Sequence, residues 1–141
     1  MGEKGELAFL KKYPDIVRTS GRKGDFIGFT KKLIELKTDT RSIDATPNFF
    51  IERFSSLARE APGGPWQSSE HGVYYFVYLF VKEGVIYWFE LDKLLQHLEA
   101  NEKEYQKRYI RNVAWTALGY LVPRSSLEHL IVKKEYIYEG L

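Results

Sequence analysis

The spacing of hydrophobic and polar positions predicts a chain that alternates between helices and strands. Helical spacing of apolar residues predicts one helix over residues 2–13 and another over residues 91–105. Runs rich in β-branched and aromatic residues predict strands at residues 16–19, 25–30, 32–38, 48–55, 73–81, 85–90 and 115–122. Residues 59–72, with two prolines and three glycines, predict an irregular flap or lid, and Ser125 or Ser126 can cap a short helix that ends near Leu130. The pattern therefore predicts a single domain of mixed α/β (α+β) class, with a central mixed sheet flanked by helices.

The segment GDFIGFTKKLIELKTD, residues 24–39, combines this strand pattern with charged side chains. It predicts two strands joined by a tight turn, with Asp25 at the start of the first strand and Glu35-Leu36-Lys37 inside the second. Because side chains alternate along a strand, Glu35 and Lys37 point to the same face. Adjacent strands lie about 4.8 Å apart, so the hairpin can bring Asp25 and Glu35 to one ion.

Two carboxylates beside a lysine suit metal-assisted hydrolysis of a phosphodiester. Mg²⁺ prefers hard oxygen ligands and keeps several waters, so Asp25, Glu35 and the carbonyl of Leu36 make a sufficient set. The metal would activate a water, and Lys37 would orient that water or neutralise developing negative charge. An ordinary cross-strand pair between Glu35 and Lys37 on a solvated edge strand is the alternative interpretation.

These residues resemble the motif of the PD-(D/E)XK nuclease superfamily, which has the restriction-endonuclease-like fold. The resemblance covers roughly residues 3–55, and Gly24 stands where the motif has a proline. It implies that Asp25 and Glu35 bind a divalent metal, Mg²⁺ or Mn²⁺, and that Lys37 assists the water. Holliday-junction-resolvase-like and RecB-like members add an acid from the first helix. Glu6 is the best match for that acid, with Glu3 second.

Charge and composition add expectations about partners. The net charge is only +2, but residues 1–41 carry ten Lys or Arg against six Asp or Glu. Arg22, Lys23 and Arg41 are accordingly candidate contacts to a DNA backbone. There is no cysteine, which excludes disulfides and thiolate metal sites within these 141 residues. The chain shows no apolar signal segment and no apolar run long enough to span a bilayer, so we expect a cytoplasmic protein without a membrane partner.

Three functional hypotheses follow from these observations. The leading one is a metal-dependent DNA endonuclease or structure-directed nuclease, for which a homodimer would allow both strands to be cut. The second is a module that keeps the nuclease fold for nucleic-acid binding or assembly without catalysis. The third is a protein-interaction domain unrelated to nucleic acid. Glu52 shares a predicted strand face with Asn48, and we expect it to face water. His71, His97 and His129 share no spacing that predicts a zinc site.

Overall fold

A computed structural model describes residues 2–18, 26–28, 31–40 and 47–137 of the chain. Three α-helices lie within this part of the chain: α1 (Gly2–Lys12), α2 (Gly64–Glu70) and α3 (Leu91–Asn101). Two 3₁₀ segments, Glu102–Glu104 and Arg124–Leu130, follow α3 and the ninth strand described below.

Ten strands among the described residues form two sheets. The strands in chain order are β1 (Val17–Arg18), β2 (Phe26–Ile27), β3 (Leu33–Asp39), β4 (Asn48–Ser56), β5 (Ala61–Pro62), β6 (Tyr75–Phe80), β7 (Val85–Glu90), β8 (Gln106–Arg111), β9 (Thr116–Pro123) and β10 (Ile131–Tyr136). The first sheet has the order β1-β2-β3-β6-β7-β10, and the second has the order β5-β4-β9-β8. All neighbours are antiparallel except β3 and β6, which run parallel. The fold is therefore mixed α+β with a mixed central sheet.

The predicted elements are largely confirmed among the described residues. The helices at the N-terminus and after β7 are present, and β2 pairs with β3 as predicted, with Phe26 opposite Ile34. The β6–β7 hairpin turns at Gly84, whose φ of 65° favours glycine. The sequence pattern did not predict β8 or β10.

The expectation of an irregular segment over residues 59–72 is wrong. This segment contains β5 and the helix α2. Pro65 occupies the first turn of α2, where its missing N–H costs nothing and its fixed φ suits a helix. Trp66 then anchors the helix by burying its ring in the core. Of the two prolines that suggested irregular backbone here, Pro65 marks a helix start and Pro62 ends the strand β5.

The central sheet is buried on both faces, each against a different cluster of side chains. One cluster joins α1 to the sheet through Phe9, Ile34, Val77, Ile86 and Trp88. The other joins the central sheet to the second sheet and to α3; its largest buried members include Phe49, Tyr78, Phe89, Leu94 and Tyr120. Alternate residues of β6 and β7 enter opposite clusters, as the period of a strand requires. The aromatic residues of these strands thus belong to or pack against the core.

Candidate active site

The candidate site begins on β3, where polar and apolar side chains alternate. Ile34 and Leu36 are buried in the cluster beneath α1. Glu35 and Lys37 lie on the opposite face of the strand, Glu35 half-buried and Lys37 exposed. The shared face that the sequence predicted for the acid and the lysine agrees with the observed register beside Phe76 and Tyr78 of β6.

Glu35 and Lys37 open onto a cavity of about 190 Å³ between β3, β4 and α2. Glu52 of β4 lines the same cavity, and so do Gln67 and Ser68 of α2. Leu36 also borders it, although the Leu36 side chain is buried on the other face, so its main chain faces the cavity. The structure therefore brings two carboxylates, one ammonium and a stretch of main chain to one opening.

Glu52 is the residue that sequence reasoning undervalued, because we expected it to face water. It is half-buried, and a bulge follows it in the ladder between β4 and β9. Such bulges re-aim side chains and are common beside active sites. The clue in the sequence was Gly63-Gly64. A Cβ on Gly63 would overlap the Glu52 carboxylate, and a Cβ on Gly64 would lie 2.8 Å from the Glu52 carbonyl oxygen. Gly64 also has a φ of +42°, which further favours glycine.

The charge state of Glu52 reflects its surroundings. Burial raises the pKa of the Glu52 carboxyl, and this effect outweighs the Lys37 ammonium and the Gly64 backbone hydrogen bond, both of which lower it. The positive charge of Lys37 therefore affects the pKa of Glu52, although the two residues belong to different sheets. A cation that enters the cavity would stabilise the ionised form of a carboxyl whose pKa is raised by desolvation.

A buried tyrosine fixes the distance between the two sheets at this cavity. The Tyr78 hydroxyl donates to Asp39 Oδ2 at 2.7 Å and accepts the backbone N–H of Phe50 at 3.1 Å. Asp39 lies two residues beyond Lys37 on β3, and Phe50 lies two residues before Glu52 on β4. One hydroxyl thus links the strand that carries Glu35 and Lys37 to the strand that carries Glu52.

The other predicted site residues are not gathered at this cavity. Glu6 lies on α1 and accepts a hydrogen bond from Arg18 Nη1 at 2.9 Å in an ion pair. It does not line the cavity, and α1 packs on the other face of the central sheet. Its catalytic role stays a prediction. Asp25, Arg22, Lys23 and Arg41, which were predicted to bind metal or DNA, lie outside the described residues.

Within the described residues, no group of three or more His, Asp or Glu side chains is arranged to hold a metal ion. No helix in this part of the chain is long and apolar enough to cross a membrane.

A larger cavity, about 360 Å³, lies on the other side of the central sheet. Three lysines (Lys12, Lys32 and Lys133) line it together with the aromatic residues Tyr13, Tyr75 and Trp88. Asp15 is the single acid among the described residues that line it. Since the sequence predicts a metal held by two carboxylates, the smaller cavity, which has Glu35 and Glu52, is the better candidate despite its size.

Two histidines that share no sequence spacing meet in the fold. The rings of His97 and His129 are 5.1 Å apart and nearly perpendicular. His97 Nε2 lies 2.6 Å from the Tyr105 hydroxyl. Burial lowers the pKa of His97, and the nearby His129 adds to that effect. The pair packs between α3 and the 3₁₀ segment before β10, remote in sequence from the residues of the candidate site.

Comparisons with family models, with curated proteins and with solved structures found no match to this chain.

Proposed function

We propose that the protein is a Mg²⁺- or Mn²⁺-dependent DNA nuclease that hydrolyses phosphodiester bonds. The main support is the cavity that Glu35, Lys37 and Glu52 share. The mixed α+β fold with a mixed central sheet is compatible, at this coarse level, with the PD-(D/E)XK resemblance.

The donor set of the cavity fits a hard divalent cation. Glu35 and Glu52 offer carboxylate oxygens, and the main chain of Leu36 faces the same opening. Asp25 is the further ligand in this proposal, because it precedes Phe26, whose partner across the hairpin is Ile34, the residue before Glu35. A bound divalent cation lowers the pKa of a coordinated water and neutralises charge on a phosphate.

The protein's own side chains have separate tasks in the proposed reaction. The carboxylates position the reacting groups, and the Glu52 carboxylate packs against Gly63 and accepts a backbone hydrogen bond from Gly64. Lys37 is exposed at the mouth of the cavity, where its ammonium attracts the phosphodiester and stabilises the negative charge of the transition state. Removing a preorganised group of this kind costs about 100-fold or more in rate.

The experiment measures cleavage of plasmid, single-stranded and branched DNA in Mg²⁺ or Mn²⁺. We expect Glu35→Gln, Lys37→Ala and Asp25→Asn each to lower the rate by at least about 100-fold. Glu70→Gln is the matched control, since Glu70 is an exposed acid at the end of α2 and does not line the cavity. Binding of Mn²⁺, followed by calorimetry, gives a readout that does not depend on turnover. It is expected to weaken in Glu35→Gln and not in Glu70→Gln.

The alternatives give different results. DNA binding without cleavage, and without measurable Mn²⁺ affinity, would favour a binding or assembly module. No DNA binding at all would favour a protein-interaction domain. Equal cleavage by wild type and Glu35→Gln would end the assignment of the site. Glu6→Gln tests the first-helix acid: loss of cleavage with unchanged melting temperature would support it, and unchanged cleavage would reduce Glu6 to a surface partner of Arg18.

A further inference from the structure

The hairpin formed by β8 and the start of β9 extends from the edge of the second sheet. All six residues of β8 are exposed, on both faces of the strand. Among the described strands, β8 pairs only with β9, and the turn closes through a hydrogen bond from the Asn112 N–H to the Trp115 carbonyl at 2.8 Å. Val113 at the tip is fully exposed, and Trp115 is 52% exposed. A strand whose side chains are exposed on both faces contributes little to a hydrophobic core, so core packing does not explain its composition.

The charge of this hairpin is of one sign. Residues 105–116 contain Lys107, Arg108 and Arg111 and no acidic residue. None of these three cations forms an ion pair with a carboxylate of the described residues. Tyr109, between them, is 54% exposed. Cations without a carboxylate partner, close to exposed aromatic rings such as Tyr109 and Trp115, are typical of surfaces that contact nucleic acid.

The sheet register connects this hairpin to the candidate active site. Glu52 of β4 lies opposite Gly119 of β9, and Gly119 lies opposite Arg108 of β8. Residues directly opposite each other in a ladder point to the same face. Arg108 therefore shares the sheet face of Glu52, two strand spacings or about 10 Å away. Gly119, which lies between them in the ladder, has no side chain, and the ring of Phe50 packs over it.

We propose that the hairpin of residues 105–116 is the DNA-binding arm of this protein and lies in the major groove of duplex DNA. This inference rests on the proposed nuclease function. A two-stranded β-ribbon fits the major groove of B-form DNA, about 12 Å wide, whereas the major groove of duplex RNA is too narrow. Lys107, Arg108 and Arg111 would then contact phosphates on the groove walls.

Charge also argues against a second copy of the chain as the occupant. Pairing two β8 edges would bring three cations of one copy against three of the other, without an acid from either strand to offset them. Like charges directly opposite each other in a ladder are destabilising, and cations on an edge strand discourage such pairing.

The test measures binding of a 20-base-pair duplex by fluorescence anisotropy in the Glu35→Gln background, which prevents cleavage. The variant is Lys107→Gln/Arg108→Gln/Arg111→Gln. The matched control, Lys4→Gln/Lys11→Gln/Lys82→Gln, removes three exposed charges elsewhere. We expect the hairpin variant to bind at least 10-fold more weakly at low salt. Its slope of log affinity against log salt should fall by about 2.7, which is 0.9 for each of three phosphate contacts. The control should change affinity less than about 3-fold.

Several results would contradict the proposal that the hairpin is a DNA-binding arm. One is an unchanged affinity of the hairpin variant for the duplex, with a circular dichroism spectrum that matches that of the Glu35→Gln protein. Equal losses in the two triple variants would show a net-charge effect only. Loss of a dimer in sedimentation, with unchanged DNA affinity, would identify a self-association edge.

Failure of the arm is distinguishable from failure of the nuclease proposal. If the wild-type protein binds DNA through the hairpin but never cleaves it, the nuclease proposal is wrong and the proposal of a DNA-binding arm stands. If cleavage depends on Glu35 but has the same KM in the hairpin variant, the nuclease proposal stands and the proposal of a DNA-binding arm is wrong.

Discussion

Removing the hydroxyl of Tyr78 tests whether one buried group fixes the geometry of the candidate site. Tyr78 is fully buried, and its hydroxyl lies between the carboxylate of Asp39 and the N–H of Phe50. Tyr78→Phe keeps the ring, which packs at 4.9 Å from the ring of Phe49. The substitution therefore deletes two hydrogen bonds with almost no change in packing volume.

The expected cost follows from those two bonds. A hydrogen bond to a charged group is worth about 1.5–3 kcal/mol, and the bond from a backbone N–H about 1 kcal/mol. We expect a loss of about 2.5–4 kcal/mol in the free energy of unfolding, because the Asp39 carboxylate loses its donor and the Phe50 N–H loses its acceptor in a dry interior. A chain of 141 residues has an unfolding entropy of about 0.3 kcal/mol/K, so the melting temperature should fall by about 8–13 °C.

The assay is thermal unfolding at pH 7 followed by circular dichroism, with Tyr109→Phe as the control. Tyr109 is 54% exposed on β8, so loss of its hydroxyl should change stability by less than about 0.5 kcal/mol. We also expect Tyr78→Phe to weaken Mn²⁺ binding, because the β3–β4 link positions Glu52. A melting temperature for Tyr78→Phe within 2 °C of wild type, roughly the control's range, would refute the reasoning.

Three further predictions concern single positions. Burial raises the pKa of Glu52 in the folded state, so ionisation of this carboxyl destabilises the fold. The protonated carboxyl contributes stability in full below about pH 4.3, which is the pKa of Glu52 in the unfolded chain. That contribution is lost as the pH rises through the pKa of the folded state. Glu52→Gln should therefore melt higher than wild type at pH 8 without metal, with the gain vanishing near pH 4; a pH-independent difference would contradict this. Gly119→Ala should cost about 1–3 kcal/mol in urea unfolding, because a Cβ there would overlap the Phe50 ring; a neutral effect would show that the ring moves freely. Glu83→Gln should cost about 2 kcal/mol by the same measurement, because Glu83 accepts two bonds from Arg124, at 2.8 and 2.7 Å, and both side chains are largely shielded from water. A cost below 0.5 kcal/mol, typical of exposed pairs, would mean that this pair behaves as a surface one.

Local pattern predicted most of the elements because their residues have strong preferences of their own. The runs of aromatic and β-branched residues in β6 and β7 favour strands, and Gly84 supplies the turn between them. Pattern failed at α2, where Pro65 has opposite meanings inside and at the start of a helix. It also failed at β8, whose side chains are all exposed and so carry no burial period to detect.

The sequence by itself determined that an acid and a lysine on β3 share one face, because a strand alternates whatever surrounds it. It did not determine what faces them. Only the tertiary structure brought Glu52 from the second sheet to that cavity, linked the two sheets through Tyr78, and paired His97 with His129. These contacts join residues that are far apart in the chain. They depend on how two sheets and a helix bury their apolar faces together, which the local spacing of hydrophobic residues does not predict.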